Sequence, residues 1–226
     1  MQGKKHLSSG ASNAKTSKNK RETLILYMSP AKQNSIGRNL CPKASPGCLV
    51  SCLYTAGRGA FSNVQQARTR KAELFIHDTN EFLSAIAREI NAVAKKNETL
   101  AVRLNGTSDT KIVDMLLARH EIASNVVFYD YTKIKARAGN RILESGHKYM
   151  VTFSRSETNE RECIDVLKNH GIVAAVFKKI PEQWHGYKVV DGDERDDLML
   201  DIDGPAVLGL VAKGRARKDT TGFVIH

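Results

Sequence analysis

The chain has 226 residues, 41% hydrophobic and 26% charged, an ordinary globular composition long enough to bury a core without disulfide staples. The opening MQGKKHLSSG has no apolar stretch and no run nears the roughly 18 apolar residues of a membrane span, which argues against a signal peptide and a membrane protein. The expectation is a soluble protein of the cytoplasm. The net charge of +11 favours polyanion partners such as nucleic acid, although low aromatic content argues against a broad stacking surface.

Residues 1–22 carry six Lys or Arg against one acid, Glu22, and almost no large apolar groups, so a disordered basic tail is expected there. TLILYM, 23–28, reads as a strand, followed by a long polar loop. A helix is expected from about Ser62 to Asp78, and another from Thr79 with Phe82, Ile86, Ile90 and Val93 on one face. Strands follow at 100–106, 125–131, 148–154, 172–177, 186–192 and 206–213, with a short last one in GFVIH. Helices are expected after Asp109, near 132–138 and over 156–170, where Gly171 stops the helix. Strands alternating with helices, several of them apolar on both faces, indicate an α/β protein with a parallel sheet in a single domain over 23–226. An open doubly wound sheet and a full or partial (β/α) barrel fit the pattern equally. Both place functional loops at the carboxyl ends of the strands.

The loop after the first strand, CPKASPGCLVSCLYTAGRG, holds Cys41, Cys48 and Cys52 in a C-x6-C-x3-C spacing, with prolines and glycine to bend the backbone. In a reducing compartment such a cluster reads as a metal or catalytic site before a disulfide. Zinc lacks an obvious fourth ligand, since the histidines are scattered and Cys163 lies on the apolar stripe of a helix with Val166 and Leu167. Three thiolates suit a [4Fe–4S] cluster with one iron left open.

The layout is similar to that of radical S-adenosylmethionine enzymes, in which three cysteines after the first strand of a (β/α) barrel hold such a cluster. It departs from their usual C-x3-C-x2-C spacing, and Ser51 stands where an aromatic precedes the last cysteine. A closer resemblance spans about 24–214. Met28-Ser29-Pro30, Asn39 to Cys48, Cys52 to Gly59, Arg103 to Asp109, Val190 to Asp196 and Val207 to Gly214 resemble the phage gene product 88 family. These likenesses imply a partial parallel (β/α) barrel of about six strands. They also imply an enzyme that uses a [4Fe–4S] cluster and S-adenosylmethionine, and the positive charge points to a nucleic acid or a nucleotide as its substrate. The alternatives are a nucleic-acid-binding phage or plasmid factor with a structural metal and no catalysis, and a cluster protein that uses its open iron without S-adenosylmethionine.

Further candidates lie at the strand ends. Asn105, Gly106, Thr107, Ser108 and Asp109 would receive the cofactor's methionine part, with helix capping as the simpler role for Ser108 or Asp109. Arg58, in Gly57-Arg58-Gly59, would meet a carboxylate or phosphate. Asp130, Ser154, Arg155, Asp191 and Asp193 would face the same site in a barrel. The acid-rich VVDGDERDDLMLDIDG departs from a calcium-loop pattern. Arg215, Arg217 and Lys218, with the Lys and Arg of the tail, are the candidate phosphate contacts.

Overall fold

The protein is described by a computed structural model that covers residues 5–12 and 15–226. A two-residue strand, β1 (Ser8–Ser9), precedes β2 (Glu22–Ile25). A one-turn helix, α1 (Pro46–Val50), lies in the cysteine loop, and α2 (Ser62–His77) and α3 (Thr79–Ala94) follow. Then come β3 (Leu100–Arg103), α4 (Ile112–Leu117), β4 (Val126–Thr132), β5 (Gly139–Ile142) and β6 (Lys148–Ser154). The chain ends with α5 (Glu160–Lys168), β7 (Ile172–Phe177), β8 (Gln183–Trp184), β9 (Tyr187–Asp191), β10 (Ala206–Val211) and β11 (Val224–Ile225).

The period-2 alternation of the strands sends residues to two different coverings. Val102, Phe128, Val151 and Tyr149 pack beneath α2, α3 and α4, with Phe82, Leu83, Ile86 and Ile90 of α3 at the centre. Phe153, Val173, Ala175 and Phe177 pack with Cys163 and Leu167 of α5. On the opposite alternation, Ala101, Tyr129, Ile172, Ala174 and Leu208 meet Met199 from the β9–β10 connection. Helix α3 is capped by Asp78, whose side chain accepts from Glu81 N. The Thr79 hydroxyl instead donates back to Phe75 O at the end of α2.

The result is a mixed α/β fold on a large, mostly parallel sheet that does not close. Its order is β1-β2-β3-β4-β6-β7-β10-β9-β8, with β5 beside β6 and β11 beside β7. Seven successive strands, from β2 to β9 along that order, pair in parallel. Closure would need the two outer parallel strands to pair with each other. Each has another partner instead: β1 pairs antiparallel with β2, and β8 with β9. Both edges are thereby covered.

The expected disordered tail needs correction. Of residues 1–22, positions 1–4 and 13–14 lie outside the described residues, and several of the others pack on the domain or pair with it. Leu7 joins the core. His6 N and Leu7 N donate to the Glu89 carboxylate of α3, at 2.7 and 3.0 Å. Lys15 pairs with Asp196, Lys20 with Asp201, and Arg21 with Asp197 and Asp201. Composition marked this stretch as too polar to fold, but its partners are carboxylates far along the chain. The basic residues Lys15, Lys20 and Arg21, expected as phosphate contacts, are therefore occupied within the chain. No helix among the described residues is long and apolar enough to cross a membrane.

Candidate functional site at the cysteine loop

After β2 the chain keeps following the sheet, with Leu26 N donating to Arg103 O and Gly106 N to Leu26 O. A Cβ at Gly106 would sit 2.7 Å from Leu26 O and from the Tyr27 ring, so only glycine lets the two strand ends approach this closely. The polypeptide then turns back. Ala31 N donates to Cys41 Sγ at 3.3 Å, and Leu40 N donates to Ala31 O at 3.0 Å. Cys41 Sγ also lies 3.8 Å from Thr107 O, and Asp109 N donates to Leu40 O at 2.8 Å. The first cysteine is thus held against the loop after β3.

Cys48 sits on α1. Ser45 caps that helix by accepting from Cys48 N, and Pro46 opens it at a position where no N–H is needed. Glu157, from the loop after β6, accepts from Ser45 Oγ and Gly47 N, both at 2.7 Å. Gly47 has no room for a Cβ, which would meet Thr221, Glu157 and Phe223 within 2.8 Å or less. Cys48 packs on Ala212, Ala216, Phe223 and Val224 of the carboxyl-terminal segment. Cys52 lies just past the end of that helix, with a non-helical backbone, before the 3-10 turn Leu53–Thr55. The loop is therefore braced by the ends of three other chain segments.

All four cysteines are free; Cys41, Cys48 and Cys52 are half-buried and Cys163 is fully buried in the core, as its apolar stripe predicts. Burial pushes the Cys41 thiol up to about 12, helped by Cys52 and Cys48 and opposed by the Ala31 N–H. Burial also raises Cys52, against a backbone hydrogen bond from Tyr54. The thiols are thus close enough to oppose one another's ionisation, and a positive ion would reverse that balance. Among the described residues, no three Cys, His, Asp or Glu side chains are already gathered as metal ligands. The donor set suits a soft metal or a cluster: three free thiols, one of them receiving a backbone N–H from Ala31.

The loop after β3 is close to the cysteines but its polar groups have partners. Asn105 Oδ1 accepts from the hydroxyls of Ser108 and Thr110 and from Thr110 N, and Asn105 Nδ2 and N donate to Asp130. The Asp109 carboxylate accepts from Thr132, Lys133 N and Arg137. Thr107 Oγ1 donates to Met28 O. Gly106 serves the close approach to β2. These residues shape the loop, and only the Thr107 carbonyl reaches a cysteine.

Asp130 is fully buried, and burial lifts its carboxyl to about 6 despite Arg103 and the Asn105 donors. Arg155 is also occupied: it donates to the carbonyls of Gly222 and Phe223 and to Glu160, tying β11 to the sheet. The Ser154 carbonyl accepts from Asn159. Asp193 accepts from Val211 N and Lys213, and Asp191 from Asp193 N. Arg58 is exposed in a 3-10 turn beside the loop. Arg215, Arg217 and Lys218 are exposed in the 3-10 turn Gly214–Lys218, where a Cβ on Gly214 would lie 3.0 Å from Ala56. The carboxyl-terminal basic cluster therefore adjoins the cysteine loop.

Arg68 of α2 was not singled out by any motif. Its guanidinium carbon lies 5.0 Å from the Tyr27 ring centre and 5.7 Å from that of Tyr54, two residues past Cys52. The available signal was charge distribution: from Thr23 to Ala72 the chain has seven Lys or Arg and no Asp or Glu.

The chain matches the family described as Gene product 88 over residues 2–226. No curated protein and no solved structure gives a significant match.

Proposed function

The chain belongs to the phage gene product 88 family, and from that premise we propose that it is an iron–sulfur protein in which Cys41, Cys48 and Cys52 hold a [4Fe–4S] cluster. One observation carries the reading: Cys41, Cys48 and Cys52, all free, lie in the one loop that follows β2 of a parallel sheet, on the edge where α/β proteins place their chemistry. In this reading the sheet serves as a partial barrel around the site. When bound, the cluster would supply an open iron to chelate and reductively cleave S-adenosylmethionine. The chain's own part is to hold and shield. Ala31 N donates to Cys41. Glu157 fixes α1, and Thr107 O and Gly106 bring the loop after β3 against the first cysteine.

The substrate class in this proposal is a nucleic acid or nucleotide. Arg58, Arg215, Arg217 and Lys218 surround the loop as exposed cations, and Lys133 reaches the Phe223 ring at 5.6 Å. The test is purification without oxygen, followed by absorption spectrum and iron and sulfide analysis. Brown protein with iron and sulfide, lost on replacing any one of the three cysteines with alanine, is expected. Cys163→Ala should leave the metal content unchanged. Stoichiometric zinc in colourless protein would instead indicate a nucleic-acid-binding factor with a structural metal. For brown protein, S-adenosylmethionine with dithionite should yield 5′-deoxyadenosine.

A further inference from the structure

We propose that Arg68 is an oxyanion-binding residue, receiving a carboxylate or phosphate group between the cysteine loop and the loop after β3. The proposal adds a ligand class to the site described above but requires no metal.

Two nitrogens of Arg68, Nε and Nη1, are buried and have no hydrogen-bond partner. A desolvated donor of this kind is costly, and a desolvated charge more so. Other arginines with a buried unpartnered nitrogen show how the fold normally meets that cost. Arg103, Arg137, Arg155 and Arg195 each hold a carboxylate, on Asp196, Asp109, Glu160 and Asp197 respectively. Arg141 also leaves two nitrogens unpartnered, but it lies opposite Tyr149 at the amino-terminal end of β6, away from the functional edge.

Around Arg68 lie the aromatic faces of Tyr27 and Tyr54 and the backbone at Gly59, where a Cβ would sit 3.1 Å from Nη1. Rings offset only part of a guanidinium's desolvation and give its N–H groups no acceptor. Tyr27 in turn packs on Gly106, and Tyr54 follows Cys52, so the guanidinium stands between the two loops of the site. A planar fork of donors in such a place matches the paired oxygens of a carboxylate or phosphate.

The experiment uses the full chain, stripped of metal, with inorganic phosphate as probe and acetate as a second arm, followed by calorimetry and by thermal unfolding. Wild-type protein is expected to bind phosphate or acetate one to one, and the preferred anion identifies the oxyanion. Arg68→Met should weaken that binding by about tenfold or more, while Arg141→Met should leave it within about twofold. The R68M protein should unfold at the same temperature as wild type or higher, and added anion should no longer raise it. Equal binding by R68M, loss of binding in R141M alone, or no binding of either anion by wild type would each overturn the assignment. So would an R68M chain that fails to fold, since the guanidinium would then be holding the structure together. Because no iron enters the readout, a colourless protein that binds anion through Arg68 would retain this inference while ending the cluster reading. The reverse result would separate them the other way.

Discussion

Arg103, the last residue of β3, and Arg68 of α2 have surroundings that differ in kind. Arg103 donates to both oxygens of Asp196 at 3.1 Å, with the Tyr131 ring 4.6 Å away. Asp196 also accepts from the Tyr129 hydroxyl at 2.9 Å and pairs with Lys15. Arg68 has the rings of Tyr27 and Tyr54 and the backbone at Gly59 beside it, and no ion pair among the described residues, in a stretch of chain without a single acid. The acidic connection before β10 thus acts as a clamp for basic residues of the fold, including those of the amino-terminal segment. The cysteine side keeps its cations unmatched. Within one protein, the first region shows what a structural arginine requires, and the second lacks it.

The most severe test of this contrast compares two deletions. Asp196→Ala strands a buried guanidinium, and a loss of about 3–5 kcal/mol is expected from urea unfolding. Arg68→Met removes a charge that has no carboxylate to strand, so its unfolding midpoint should stay level or rise. Similar losses in both variants would erase the distinction.

A smaller effect should appear with pH. Burial alone would raise the Asp196 carboxyl, but Arg103, Lys15 and the Tyr129 hydroxyl hold it down at about 2. With an unfolded value near 3.9, the depressed group contributes stability that is fully present above about pH 4 and is lost as pH falls through about 2. The size is roughly 2–3 kcal/mol. Asp130 has the opposite sign. Its folded value near 6 makes ionisation unfavourable, so stability should rise as pH drops from above 6 toward 4. Urea unfolding from pH 7 to 2 should therefore show a rise and then a fall. A monotonic decline would mean that Asp130 is ionised without penalty.

The smallest effect concerns the amino-terminal segment. Arg21 bridges Asp197 and Asp201 while a quarter exposed, so Arg21→Ala should cost about 1 kcal/mol or less, and less still in high salt. A salt-independent loss would place the contribution in packing rather than in charge.

Much of the architecture was legible residue by residue. KYMVTFS and IVAAVF coincide with β6 and β7, because a buried parallel strand writes itself as a short apolar run. The α3 face was readable from Phe82, Ile86 and Ile90 for the same local reason. The strand expected over 100–106 stops at Arg103, as Asn105 turns its side chain into the hydrogen bonds of the following loop. Helix α1 was read as loop despite Ser45-Pro46, since five residues carry too little periodicity. The two-residue strands β1 and β8 have no pattern of their own and exist only because a neighbouring edge accepts them.

The core position of Cys163 followed from its apolar stripe. That the side chains of Asn105, Asp109 and Arg155 are engaged within the chain was not legible, because their partners Asp130, Arg137 and Gly222 come from distant parts of the sequence. By itself the sequence determined the alternation of strand and helix, the thiols after the first strand and the charge imbalance of residues 23–72. Those properties are written in neighbours a few residues apart. Tertiary structure alone decided that the sheet stays open, that Arg21 finds Asp201 across 180 residues, and that Arg68 finds no carboxylate among the described residues. Charge compensation is a matter of distance in space, and which charges meet is settled only when the strands have taken their order.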